Sequence, residues 1–487
     1  MPANETAEQP QYPDLDGYSG YAGLPPLVSL HTMRKATTIG LSVRQSVERL
    51  KRIHWSLKRL HGIFVARVTS MPIYEIKMAF SLHAYYCAEY VDALAGRIGE
   101  MRQPPHGMDL PPNAALDLLF DEIVAAPTLQ HLLVGLYKVA VPAVTRALEH
   151  LVTDTNRLLD HASFRICRLA LVEWTDVQRY GDDALHCLVT EQQGDPLQLW
   201  ISHLSTILRA AGDLDGREPE SGESPGRRFS AKPYTYDPVP QRDERFRDPY
   251  NMGVNAEAML LDSSIDPLPK TLMLYFKRMR EIDVPEMMAS ILMTAENKPW
   301  KYFRDMTRQL WDEARHAMMG EIGFVSMGID WTEIPINFTW SLGLNTTLSS
   351  KERHAVLYAI EQGLMPKRTG KEYEWEVAVS AASALASLIQ DFDWADEVLH
   401  ARIGREWIVP EIGSQLEAMA YGDKALSKLY LNWNKWKEEG LTEHRNWWPD
   451  LYKVACARWG ITPDPKLLAY HISYESLRAD LKNVTPE

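Results

Sequence analysis

Two short stretches of this chain carry residues whose types and spacing suit metal binding. In RQLWDEARHAMMGE, Arg308–Glu321, Glu313 and His316 lie three positions apart. On a helix that spacing puts both on one face, with Leu310, Trp311 and Met318 able to pack beside them. In SLIQDFDWADEVLHARIGREW the order Asp-Glu-x-x-His recurs at Asp396, Glu397 and His400, among apolar residues at helical spacing. One Glu-x-x-His arises readily by chance on a surface helix. Two matched copies in apolar helices mean more. Helical bundles that hold two iron or manganese ions take a Glu-x-x-His from each of two helices and a single Glu from each of the other two. The pair therefore predicts two further glutamates.

Glu286, in VPEMMASILM, is the expected ligand of the first helix. It is surrounded by Val284, Met287, Met288, Ile291 and Leu292, and a carboxylate so placed is costly unless it is paired or bound to a cation. Asn297-Lys298-Pro299 reads as the turn. The arms from turn to ligand are 11 residues (297 − 286) and 14 residues (313 − 299), which at about 1.5 Å per residue return to similar heights. Glu361, in AVLYAIEQGLMP, has the same apolar setting and is the expected ligand of the third helix. Gly363 and Pro366 end that helix soon afterwards, so the chain as far as about Ala378 must fold back or add a short helix. Glu372, Glu374 and Glu376 stay open as alternatives.

The motifs DEARHA and DEVLHARIGREW, with EMMASILM and KPWKYF ahead of the first, give the chain a resemblance to a bacterial family of ferritin-like proteins whose activity is not settled. The likeness covers roughly Thr271 to Pro465 and includes RNWWPDLYKVACARWGITPDP near the end. It implies a ferritin-like four-helix core with a di-metal site liganded by Glu286, Glu313, His316, Glu361, Glu397 and His400. In related di-iron oxygenases the Asp before each ligand Glu holds a ligand His by its other ring nitrogen, and Asp312 and Asp396 match those positions. Orientation of a ligating imidazole by a carboxylate is the usual outer-shell arrangement.

The elements that must position these residues are helical throughout. The expected class is all-α: a ferritin-like bundle preceded by a second helical bundle. The divisions expected are an extended N-terminal segment at 1–36, a metal-free helical bundle at 37–211, a Pro/Gly/charge-rich linker at 212–255, the di-metal domain at 256–412 and a Trp-rich helical extension at 413–487. Setting Pro72 against Pro299 places Tyr86 opposite Glu313 and Glu89 opposite His316, while Trp174 and Val177 fall where Glu397 and His400 would. The first bundle is therefore read as a degenerate ferritin-like repeat that lost its metal, against the plainer reading that two long helical segments look alike. His83, Glu89, His161 and Glu173 are read as hydrogen-bonded helix residues. The linker's aromatic residues Phe229, Tyr234, Tyr236 and Phe246 predict that it drapes over a domain. GIDWTEIPINFTWSLGLNTTLSSKE serves as the long crossover between helices two and three.

Composition narrows the function. With 65 acidic and 52 basic residues the net charge is −13, which argues against a nucleic-acid-binding role through bulk charge. Four widely spaced cysteines, Cys87, Cys167, Cys187 and Cys456, form no Cys-x-x-Cys and read as reduced packing residues of a cytoplasmic protein. The N-terminal stretch lacks the form of a signal peptide, and no apolar run is expected to span a bilayer. Oxygen and nitrogen ligands without thiolate suit two iron ions, or manganese, or a mixed pair. The resemblance then implies an oxidase or oxygenase with dioxygen as co-substrate and a small-molecule substrate. Tyr358 and Trp394, one turn before Glu361 and Glu397, are candidate pocket or redox residues. His354 could orient a ligand or cap SSKE. No flavin or nicotinamide fingerprint occurs, so repeated turnover needs an external electron donor. A dimer is compatible with this reading. A ferroxidase-type protein and a non-catalytic helical scaffold are the alternatives.

Overall fold

The computed structural model describes residues 15–103, 106–190, 194–430 and 433–473, and every regular element among them is a helix. Two compact units emerge: residues 1–60 with 89–234, and residues 61–88 with 235–487. This differs from the linear blocks expected from composition. The stretch expected as a linker at 212–255 is divided between the units, and 61–88, expected in the first bundle, belongs to the second. The reason lies in hydrogen bonding. In the first unit, buried Glu122 accepts from the backbone amides of Arg228, Phe229 and Ser230 at 2.8–3.0 Å. In the second, Thr69 and Lys77 donate to the carbonyls of Asp237 and Gln241 at 2.7 and 2.8 Å. An irregular segment without internal pairing is held by side chains that satisfy its backbone.

The first unit packs helices α1, Ala114–Val124, α2, Val141–Asp154, α3, His161–Leu188, and α4, Gly194–Ala210, in the pairs α2 with α3 and α1 with α4. Asn113 caps α1 and Asp160 caps α3 through side-chain bonds to the Leu116 and Ser163 amides. Trp174 and Val177 are buried core residues of α3, whereas Pro72 and Tyr86 belong to the other unit. The positions aligned as a degenerate repeat thus do not form one compact body. The membrane expectation also changes: Leu129–Asp154 is one stretch of 26 residues long and apolar enough to cross a bilayer, but 72% of its window is buried within the protein. A mostly buried helix of this kind is also what a packed core contains. Of the cysteines, Cys87, Cys167 and Cys456 are buried as expected of packing residues, while Cys187 is exposed.

The second unit is built on four helical rods, two of them broken. The first is α5, Pro267–Arg280, followed by α6, Asp283–Met293. The second is α7, Trp300–Ser326. The third is α8, Ser350–Gly363, followed by α9, Lys371–Ser380, and the fourth is α10, Ala384–Trp407. α7 packs on α5, α6 and α10, while α10 also packs on α8 and α9. The buried residues Tyr302, Met306, Gln309, Glu313, His316 and Gly320 of α7 recur at steps of three and four, the stripe of a helix that faces a core. Gly320 is required there: a Cβ would lie 2.2 Å from the Met279 backbone nitrogen, so α5 and α7 approach at backbone contact. The residues expected as a C-terminal extension are integrated into the unit, since helix α11, Gln415–Tyr430, packs closely along α8.

α8 starts with a capping box in which Ser349 and Glu352 satisfy each other's backbone amides. His354 takes no part in it. Its ring is buried against Tyr302, with centroids 5.8 Å apart. Burial pulls its pKa down to about 3, with Lys298 adding to the effect, against about 6.5 in the unfolded chain. A histidine depressed on folding contributes stability that is whole above about 6.5 and is lost as pH falls from there towards about 3. The thermal midpoint is therefore expected to drop between pH 7 and pH 4 by less in His354→Gln than in the wild type. Equal drops in thermal unfolding curves would assign the acid sensitivity elsewhere.

Candidate metal centre

Four rods bring their polar residues to one buried place. α7 supplies Glu313 and His316, α10 supplies Glu397 and His400, α8 supplies Glu361, and Glu281 comes from the break between α5 and α6. Ligand atoms of Glu281, Glu313, His316 and Glu397 lie within 4.8 Å of one another, as do those of Glu313, Glu361, Glu397 and His400. Glu313 and Glu397 are common to both groups. Each group could hold a metal ion, and the two share both of these carboxylates.

The imidazoles are oriented from behind, and across the pair of helices. Asp396 of α10 lies 3.2 Å from His316 Nε2, and Asp312 of α7 lies 3.4 Å from His400 Nε2. Each ring therefore turns Nδ1 inward. His400 Nδ1 is 3.0 Å from Glu313 and 3.5 Å from Glu397. His316 Nδ1 is 3.4 Å from Glu281 and 3.5 Å from Glu313. The two aspartates are held by Arg308 and Arg315: Arg308 donates to Asp312 at 2.8 Å, and Arg315 to Asp312 and, at 2.7 Å, to Asp396.

The site's charges act strongly on one another. Burial and the Glu397 and Glu313 carboxylates push Glu361 well above the usual range. Burial works the same way on Glu397, but the Lys371 ammonium and the neighbouring Glu361 and His400 side chains hold it well below. Burial would lower His316, yet Asp396, Glu281 and Glu313 raise it to about 10. Protons here take the place of positive charge that crowded carboxylates require. Glu281 Oε2, Glu313 Oε1, Glu397 Oε2 and both Nδ1 atoms are buried without a hydrogen-bond partner. Buried carboxylate oxygens and ring nitrogens that converge in this way could hold a metal ion, and a carboxylate and imidazole set is of the type that suits iron or manganese.

Glu286, expected among these ligands, is elsewhere. Its carboxylate accepts from Lys77, from Arg242 at 2.8 and 3.0 Å, and from Ser341 at 2.7 Å. The cations that this buried carboxylate needs are two side chains distant in sequence. Glu281, at the break after α5, joins the group instead. Its arm to the turn, 297 − 281 = 16 residues, matches the 14 residues of the other arm more closely than the 11 of Glu286 did. That signal was hidden because KRMREID reads as a charged helix end. Glu361 is in the group, and its rivals are not: Glu374 pairs with Lys277, Glu372 lies 3.7 Å from Lys367, and Glu376 is exposed. Tyr358 packs in a separate cluster with Ala355, Ile408 and Ala418, and Trp394 leans on Trp375 at the edge of α10.

Charged residues that sequence reasoning missed lie against the ligands. Lys371, the first residue of α9, is buried and places Nζ 2.9 Å from both oxygens of Asp393 and 2.9 Å from Glu397 Oε1. Arg278 pairs with Asp393 and lies 2.7 Å from Glu281 Oε1. Asp393 falls one turn before Glu397, on the same stripe as His400, which is a readable signal. Lys371 gives none locally.

A cavity of about 340 Å³ opens beside the cluster. Glu281, Glu313, Glu361 and Glu397 form one wall, Val284, Met287, Trp340, Leu344, Ile360, Leu364 and Leu426 the apolar sides, and Asn255, Glu257, Lys277, Arg280 and Asp283 a polar margin. The crossover between the second and third rods contributes Trp340, Ser341 and Leu344 through a helix over Thr339–Thr347. No protein-family model, no curated protein and no solved structure matches this chain, so the centre is read on its own geometry.

Proposed function

We propose that this chain is a ferritin-like, non-haem di-metal oxidoreductase, an oxidase or oxygenase that uses dioxygen on a small molecule. The observation that carries the reading is the pair of Glu-x-x-His sets meeting face to face, each imidazole clamped from behind by an aspartate and turned towards shared carboxylates. The ligands proposed are Glu281, Glu313, His316, Glu361, Glu397 and His400, with Asp312 and Asp396 fixing the rings. Bound there, two reduced iron ions, or a manganese–iron pair, supply dioxygen binding and oxidation.

The chain's own residues do the rest. Glu313 and Glu397 would serve both positions, Glu361 would complete one of them beside the cavity, and the apolar walls would keep bulk water from the reacting face. A cavity of this size, mostly apolar with a polar margin, suits a small organic substrate and favours this reading over ferroxidase or scaffold roles. Electrons for repeated turnover come from an external donor.

Chain loaded with ferrous iron without air and then exposed to oxygen is expected to consume dioxygen in proportion to protein, as read by an oxygen electrode, and His400→Ala is expected not to. Absence of metal binding and of uptake in the wild type would leave the scaffold reading in place.

A further inference from the structure

The two metal positions do not face the same surroundings. The Glu313–Glu361–Glu397–His400 position is approached by Glu397 through Oε2, which lies 3.5 Å from His400 Nδ1. The other oxygen, Oε1, is in contact with the Lys371 ammonium at 2.9 Å. Glu281, specific to the second position, turns Oε2 towards His316 at 3.4 Å, while its Oε1 is 2.7 Å from Arg278 and 3.8 Å from Lys371. Two fixed positive charges thus border the Glu281–His316 position, and one of them sits on the oxygen of Glu397 that would complete a bridge.

We infer that Lys371 is a resident cation that makes the two metal positions unequal: the Glu361–His400 position fills first, and the Glu281–His316 position fills second and more weakly, by displacing the ammonium from Glu397. The inference rests on the di-metal reading above. Displacement leaves no bare charge, because both oxygens of Asp393 already lie 2.9 Å from Lys371 Nζ. The ammonium and an arriving divalent ion compete for one carboxylate in a buried setting, where like charges a few ångströms apart repel strongly. Lys371 is in these terms a positioning residue: it acts on the metals through Glu397.

The test is a titration of the metal-free chain with manganous ion alone, bound and free ion being counted by electron paramagnetic resonance. The wild type is expected to show two classes of site whose dissociation constants differ by roughly tenfold or more. In Lys371→Met the weaker class is expected to tighten so that the classes converge. In Lys371→Arg, which keeps the charge, the gap persists. Two equal sites in the wild type, or an unchanged gap in Lys371→Met, would overturn the inference and leave the di-metal reading standing. No bound manganese in any chain, with the same result for ferrous iron, would remove both. Should Lys371→Met not fold, Lys371→Gln removes the charge, leaves Asp393 to its Arg278 partner and reads the same gap.

Discussion

Glu313→Ala is expected to abolish metal binding at both positions, because Glu313 is the one glutamate of α7 in the cluster and belongs to both ligand groups. Elemental analysis of wild-type protein should give about two iron or manganese ions per chain, and Glu313→Ala close to none. The fold should survive, since the substitution removes a negative charge from a crowd of them. Thermal unfolding provides the second readout. A ligand at about a hundred times its dissociation constant adds about 2.7 kcal/mol to the wild type, and this metal-dependent rise should vanish in the variant. Glu376→Ala, at an exposed position of α9, should behave as the wild type. Undiminished metal in Glu313→Ala would place the ions elsewhere in the chain.

The contrasting pair is Glu286→Ala and Glu281→Ala. Both residues are glutamates of the first rod, five positions apart, yet they answer to different cations. Glu286 is wholly buried against Lys77 and Arg242. Removing it leaves buried Lys77 without its paired carboxylate and Arg242 with Asp283 alone, and breaking such a buried pair costs about 3–5 kcal/mol. Glu286→Ala is thus expected to lower the denaturant midpoint sharply while the folded fraction retains its metal. Glu281→Ala should do the reverse, losing about one ion per chain with a smaller change in stability. The opposite pattern, metal lost with Glu286 and kept without Glu281, would reinstate Glu286 as the ligand.

These two residues also show how far the sequence could be read. The helical class was legible from spacing within each helix, and the meeting of Glu313, His316, Glu397 and His400 from the recurrence of one Glu-x-x-His motif on two apolar helices. Glu361 was legible from its apolar setting. The choice between Glu281 and Glu286 was not, because it turns on where Lys77 and Arg242 arrive, more than forty residues away. Local burial says that a carboxylate needs a cation, but it does not say which. The division into units was hidden for the same reason, since the irregular segment from 212 onward is placed by contacts such as those of Glu122 and Lys77 and by no periodicity of its own. Lys371 was invisible because only the turn after Pro366 carries it back to the cluster.

The crossed aspartates carry a consequence for descent. Asp312 stands beside its own helix's glutamate but secures the imidazole of the opposite helix, and Asp396 returns the arrangement. Neither half of the centre is therefore a module that could be inherited or discarded alone. A lineage that lost one aspartate would weaken the partner helix's histidine, and a slip of one helix by a single residue, about 1.5 Å, would unseat both rings together. Drift in this region should leave the whole quartet intact or erase it altogether.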